Sequence, residues 1–168
     1  MRIPPGRPRP RQRDALTLET PLKLNLGAGA LLLDGYVNCD IAQLPGIDVV
    51  HDLDTAPWPW EDASVTEIMA SDIFEHIAEP LVFMTECGRV LADEGLLEIR
   101  TTYWKARNAY TDPTHKRFCT ENTFDYWVPG TEIGDRYGAA YGQAGAAFEK
   151  LHVSLDGQEL VVLLKRIR

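Results

Sequence analysis

Leu22-Lys-Leu-Asn-Leu-Gly-Ala-Gly29, followed shortly by Asp34-Gly-Tyr-Val-Asn-Cys-Asp40, is the stretch that decides the fold. Leu22 to Leu26 is a short strand run. It stops abruptly on Gly27-Ala28-Gly29, where small residues let the backbone turn tightly and let a ligand come close. After Asp34-Gly35, the run Tyr36 to Asp40 reads as a second strand with an acidic residue at its C-terminal end. Residues 28–39 are too few for a full crossover helix between the two, so the first crossover is truncated.

Outward from there, strand and helix signals alternate. Asp48 to Leu53 reads as a third strand, followed by Pro57-Trp-Pro-Trp60, where prolines exclude regular structure and tryptophans offer the bulky walls of a ligand-lining loop. Val65 to Ala70 is a fourth strand leading into Ser71-Asp-Ile-Phe-Glu-His76. Pro80 to Leu91 carries Leu81, Phe83 or Met84, Cys87 and Leu91 at helical spacing. Gly95 opens a fifth strand, Leu96 to Thr101, and residues 103–130 are polar, aromatic and irregular, longer than a connector needs. Phe148 to Leu155 and Glu159 to Ile167 form a hairpin, with Asp156-Gly157 suited to a type I′ turn. Leu160 to Leu164 is apolar on both faces, which predicts a strand inside a helix-covered sheet.

The chain has 168 residues and a net charge of -8. Five arginines and no acid fall within the first thirteen residues, so the remainder carries -13. With Pro4, Pro5, Pro8, Pro10 and Pro21, residues 1–21 read as a flexible basic arm, and residues 22–168 as the folded domain. An acidic body repels nucleic-acid phosphate and anionic membrane, which makes nucleic acid a poor substrate. Cys39, Cys87 and Cys119 form no Cys-x-x-Cys pair, and no apolar run is long enough to span a membrane. A cytoplasmic protein is expected.

In a mostly parallel sheet, ligands bind beyond the C-terminal strand ends where strand order reverses. Gly27 and Gly29, Asp40, Asp52 and Ser71 to His76 fall at four successive strand ends. Bare amides can approach a carboxylate, and an acidic side chain can accept both ribose hydroxyls, which suits a nucleoside with an amino-acid tail. Leu24-Asn-Leu-Gly-Ala-Gly29, Val37-Asn-Cys-Asp40, Val50-His-Asp-Leu53, Pro59-Trp-Glu-Asp62, Glu67 to Ile77 and Arg89 to Gly95 together resemble the class I S-adenosylmethionine-dependent methyltransferases. Asp112-Pro-Thr-His-Lys-Arg-Phe118 with Glu121-Asn-Thr-Phe124 is similar to a compact, methyltransferase-11-like subgroup.

The resemblance implies an α/β fold: a Rossmann-like, mostly parallel seven-stranded sheet with an antiparallel C-terminal hairpin strand. It implies S-adenosylmethionine as cofactor, with Gly27 and Gly29 flanking the methionine moiety and Ala28 between them. Asp40 would hold the ribose beside Ile41, Asp52 and Leu53 would meet the adenine, and Ser71 would sit by the sulfonium. Asn25, Ala30 and Asp93-Glu94 depart from the family pattern. Asn25 replaces its usual acid and could still bond the cofactor's ammonium through its carbonyl, and Ala30 replaces its third glycine. Asp93-Glu94 stands where Pro-Gly is usual, which predicts a looser, harmless turn.

Several residues carry two readings. Gly-x-Gly alone serves many tight turns, and only the joint spacing favours the cofactor. Glu75-His76 either faces the methyl group or satisfies backbone donors at a helix start. His115, with Asp112 three residues before it, is either a general base oriented by a carboxylate or part of an Asp-Pro turn stapling the loop. Most of the aromatic residues belong to the core, with one or two lining the pocket. His51, Asp52, Asp54, Asp112 and His115 are metal-ligand types without a compact pair at helical spacing, so no metal is expected. The expected function is methyl transfer to a small polar acceptor, a sugar or other hydroxyl or amine compound, with His115 or His76 as base. The alternative is a catalytically silent S-adenosylmethionine-binding or scaffold protein. A nicotinamide oxidoreductase is disfavoured because Leu32 stands where its third glycine belongs.

Overall fold

A computed structural model describes residues 21–138, 140 and 146–167, so the basic arm, apart from Pro21, lies outside the described residues. The strands are β1 (Leu22–Leu26), β2 (Val37–Asp40), β3 (Val49–Val50), β4 (Val65–Ser71), β5 (Leu91–Thr102), β6 (Ala147–Asp156) and β7 (Glu159–Ile167). They form one seven-stranded sheet in the order β3-β2-β1-β4-β5-β7-β6. β1 to β5 pair in parallel, and β7 runs antiparallel to both β5 and β6, so β7 alone is reversed. The order turns back between β1 and β4, which sets the ligand crevice at the C-terminal ends of those two strands.

The regular α-helix among the described residues is α1 (Pro80–Val90), with proline in its first turn, where a missing N–H is harmless. Asp54 caps it from the loop after β3, accepting from the Ala78 and Glu79 amides at 2.9–3.0 Å. Phe83, Met84, Cys87 and Val90 face the sheet and are fully buried against residues such as Leu24, Ile68 and Leu97. Truncating Phe83 to alanine would cost about 3–5 kcal/mol.

The expected cover on both faces of the sheet is not what forms. The buried face of β4, β5 and β7 carries Ile68, Ala70, Leu97, Ile99, Val162 and Leu164, whereas alternate residues are only half-buried. The segments 27–36, 41–48 and 51–64 contain no helix, so among the described residues α1 covers one face. Charge pairs finish the other: Lys23–Glu67 at 2.6 Å and Lys165–Glu149 at 2.7 Å across strands, and Arg100–Glu98 at 2.8 Å along β5. The Tyr36 hydroxyl donates to Glu67 there, and burial followed by that carboxylate pushes its pKa up to about 12. β7 does lie inside the sheet, as its apolar run predicts.

Three local expectations also change. The third strand is two residues long, because Asp52 bonds the Asp54 amide at 3.0 Å and turns the chain away from β2. The fifth strand is longer than expected, starting at Leu91 directly off the helix. The hairpin pairs Asp156 with Glu159, so its loop is Gly157-Gln158. Of those two only Gly157 has positive φ, at 63°, which makes a type II′ turn rather than type I′.

Candidate functional site

Gly27 leaves β1 with φ 67°, and a Cβ there would meet the Ile73 side chain at 2.6 Å. The glycine is needed because the segment after β4 packs directly on that turn. At Gly29, with φ 48°, a Cβ would project into open space. The Gly29 amide donates to Asp40 Oδ2 at 2.9 Å and the Ala42 amide to Oδ1 at 2.8 Å, so both carboxylate oxygens are anchored at the end of β2. Gly27, Asp40, Ile41, Asp52 and Leu53 line one cavity of about 150 Å³, together with His51, Ile73, His76, Ile77 and Lys116. Of the nine residues assigned to the cofactor, these five gather on one wall.

The other four stand elsewhere. Ala28 is buried and donates its amide to Cys39 O at 2.9 Å, while the Gly29 amide is taken by Asp40. Ser71 ends β4 and lines neither this cavity nor its neighbours. Asn25 is 1% exposed, and its amide donates to Leu31 O at 2.6 Å and Asn38 Oδ1 at 2.8 Å. Asn38 Oδ1 also accepts from the Leu33 amide, and the Asn38 amide donates to Asp48. This Asn25–Asn38–Asp48 network ties down the turn that replaces the first crossover helix.

The Trp58 loop does not line the cavity. Trp58 is 2% exposed and packs edge-on against Phe83, its amide donating to Glu86 and its indole to Leu53 O. Two prolines alternating with two tryptophans signal a rigid apolar plug as readily as a pocket wall.

A second cavity, of about 680 Å³, is lined by Asp72, Glu75, His76, Thr102, Asn108, Thr111, Asp112, Pro113, His115 and Glu159. His76 lines both cavities. A third cavity of about 370 Å³, apolar apart from Arg117 and Thr123, shares no residue with the first. The three residues assigned to catalysis therefore come together in the second cavity, where His76 is the residue shared with the first. The His76 and His115 rings are 4.8 Å apart, Thr114 Oγ1 bonds both His76 Nδ1 (2.9 Å) and Asp112 Oδ1 (2.6 Å), and His115 Nδ1 faces Ala109 O at 3.3 Å.

Glu75, 1% exposed, accepts from Thr101 Oγ1 and from the amide and hydroxyl of Thr102 at 2.7–3.0 Å. Its carboxylate is thus committed to β5, the helix-start alternative in modified form. Asp72, in the left-handed region at φ 52°, has its pKa raised by burial and then by the Glu75 charge. Glu159 is raised by burial and then by Asp72. Asp72 and Glu159 escape sequence reasoning as site residues. Asp72 lies within the Ser71 to His76 segment but has no role of its own in that motif, and Glu159 reaches the cavity only because β7 inserts beside β5.

No protein-family model matches the chain. Over 117 residues it is 29% identical to a probable S-adenosylmethionine-dependent methyltransferase of Mycolicibacterium smegmatis, covering 66% of this chain and 45% of that protein. The chain thus spans less than half the length of that curated relative. The structure is similar to a SAM-dependent methyltransferase from Archaeoglobus fulgidus, with TM-score 0.62 and 15% identity over 87% of this chain and 86% of that one. It is also similar to the [4+2]-cyclase SpnF, with TM-score 0.59 and 12% identity over 89% and 76%. The fold is the Rossmann-like fold of the class I S-adenosylmethionine-dependent methyltransferases.

Proposed function

We infer that the chain binds S-adenosylmethionine in the Gly27–Asp40–Asp52 cavity and methylates a small polar acceptor held in the acidic cavity beside it. The observation that carries this is His76, which lines both cavities. The residues fit the cofactor. The acids Asp40 and Asp52 and the apolar walls of Ile41, Leu53, Ile73 and Ile77 suit an adenosyl group.

The cofactor supplies an electrophilic methyl carbon on a sulfonium; transfer to an acceptor O–H or N–H leaves S-adenosylhomocysteine and releases one proton. The chain's own work is to hold the acceptor and dispose of that proton. Asp72, Glu159, Asn108 and Thr111 offer acceptors and donors to a polyhydroxyl or amine compound. The cluster of His76, His115 and Asp112 is where the proton leaves.

The fold alone does not fix the reaction, since a [4+2]-cyclase shares it. Calorimetric titration with S-adenosylmethionine, followed by mass spectrometry of extracts incubated with labelled cofactor, tests the assignment. Binding with methyl transfer is expected, and Gly27→Ala should abolish the binding. Binding without transfer to any extract component would favour the silent scaffold, and no binding at all would defeat both.

A further inference from the structure

His76 comes from the turn after β4, and Asp112 and His115 from the long loop after β5. One ligand-type atom from each lies within 4.8 Å of the others. The hydrogen bonds around them settle the tautomers. The Thr114 hydroxyl has one proton and donates it to Asp112 Oδ1, so its contact with His76 Nδ1 is an imidazole N–H donating to the hydroxyl oxygen. The Ala109 carbonyl is an acceptor only, so His115 Nδ1 also carries a proton. Both rings keep Nε2 as their basic lone pair, each with its Nδ1–H oriented by an outer oxygen. Proteins present imidazole to a metal in this way.

Two neutral imidazoles and a carboxylate are the donor set of borderline divalent transition ions rather than of magnesium or calcium. The surroundings favour a cation. Asp72, Glu75 and Glu159 line the same cavity, and neither lysine nor arginine does. The three cysteines are buried elsewhere and compete for nothing here.

We propose that His76, Asp112 and His115 bind one divalent transition-metal ion of the zinc class at the mouth of the acceptor cavity. Its role rests on the function inferred above. An acceptor hydroxyl approaching the ion has its O–H acidified and loses its proton to water, with no change of oxidation state. The imidazoles then hold the cation instead of taking the proton. Sequence spacing hides the site because its ligands come from two segments joined only by the fold.

The test is equilibrium dialysis of the tag-free full chain, stripped with a chelator, against Zn²⁺, with bound metal measured by plasma mass spectrometry. One equivalent per chain is expected. His76→Gln, Asp112→Asn and His115→Gln should each weaken binding about tenfold or more, while His152→Gln on the exposed edge strand should not. Failure of the wild-type chain to retain an equivalent overturns the proposal without any variant. So does unchanged affinity in all three variants with native circular dichroism. Calorimetry with S-adenosylmethionine on the same stripped protein separates the two inferences. Cofactor binding without zinc uptake defeats the metal site alone, and zinc uptake without cofactor binding defeats the methyltransferase reading alone.

Discussion

Asn25 donates twice from a buried amide, to Leu31 O and to Asn38 Oδ1. Those partners are both acceptors, so an acid, the usual residue at this place in the proteins the chain resembles, would face two oxygens. Asn25→Asp is expected to cost about 2–4 kcal/mol at pH 7 through one orphaned carbonyl and like-charge contact, with a Tm lower by about 5 °C or more. Repulsion raises the folded-state pKa of the introduced carboxyl. Its destabilisation is therefore full at neutral pH and shrinks as pH falls through that raised value. A variant with wild-type Tm and tighter cofactor binding would return Asn25 to the cofactor. Glu94 is the opposite case. It takes φ 65°, the conformation of the glycine usual there, so the turn is strained rather than looser. A left-handed non-glycine costs about 1–2 kcal/mol, and its ion pair with Lys165, 72% exposed on the Glu94 side, recovers little. Glu94→Gly should gain about 0.5–1 kcal/mol in urea unfolding, and a loss of stability would show that the ion pair outweighs the strain.

α1 shows how one element depends on carboxylates outside its own hydrogen-bond ladder. Burial tends to raise the Asp54 pKa, but the Glu79 and Ala78 amides and Lys116 outweigh it and hold the group low. Glu86 behaves likewise, burial being outweighed by Arg89 and the Trp58 amide. A depressed folded-state pKa means stability present above the unfolded value and lost as pH falls, so the helix should loosen below about pH 4. Glu86→Gln is expected to lower stability by about 2 kcal/mol at pH 7, and, combined with Asp54→Asn, to flatten the decline between about pH 5 and pH 3. An unchanged acid slope in the double variant would place the acid-sensitive groups elsewhere. α1 itself was legible, since Phe83, Cys87 and the first-turn proline mark its face and start. The Asp54 cap and the Glu86 contact with the Trp58 amide were not, because both act across the chain rather than at a spacing.

Across the whole molecule, the strand runs and the glycine turn foretell the sheet because their periodicity is local. The open face and the second cavity are not foretold, because they follow from which crossovers lack helices and from β7 inserting beside β5. The same missing helices leave the crevice walled by turns around Gly27, Asp40, Asp52 and Ile73, held by isolated backbone and side-chain hydrogen bonds rather than by a helical ladder. Such segments open locally at lower free energy than the β4–β5–β7 core. A ligand that bridges them should therefore act mostly on their opening. S-adenosylmethionine at about 100 times its dissociation constant should add about 2.7 kcal/mol, raising Tm by about 5–10 °C. Amide exchange should slow at residues 27–29, 40–42, 51–54 and 73–77. It should change little along β6, whose edge position puts it farthest in the sheet from the β1–β4 reversal. Protection centred on the β6–β7 hairpin instead would mean that the cofactor sits outside the crevice, and the roles given to Gly27, Asp40 and Asp52 would fall with it.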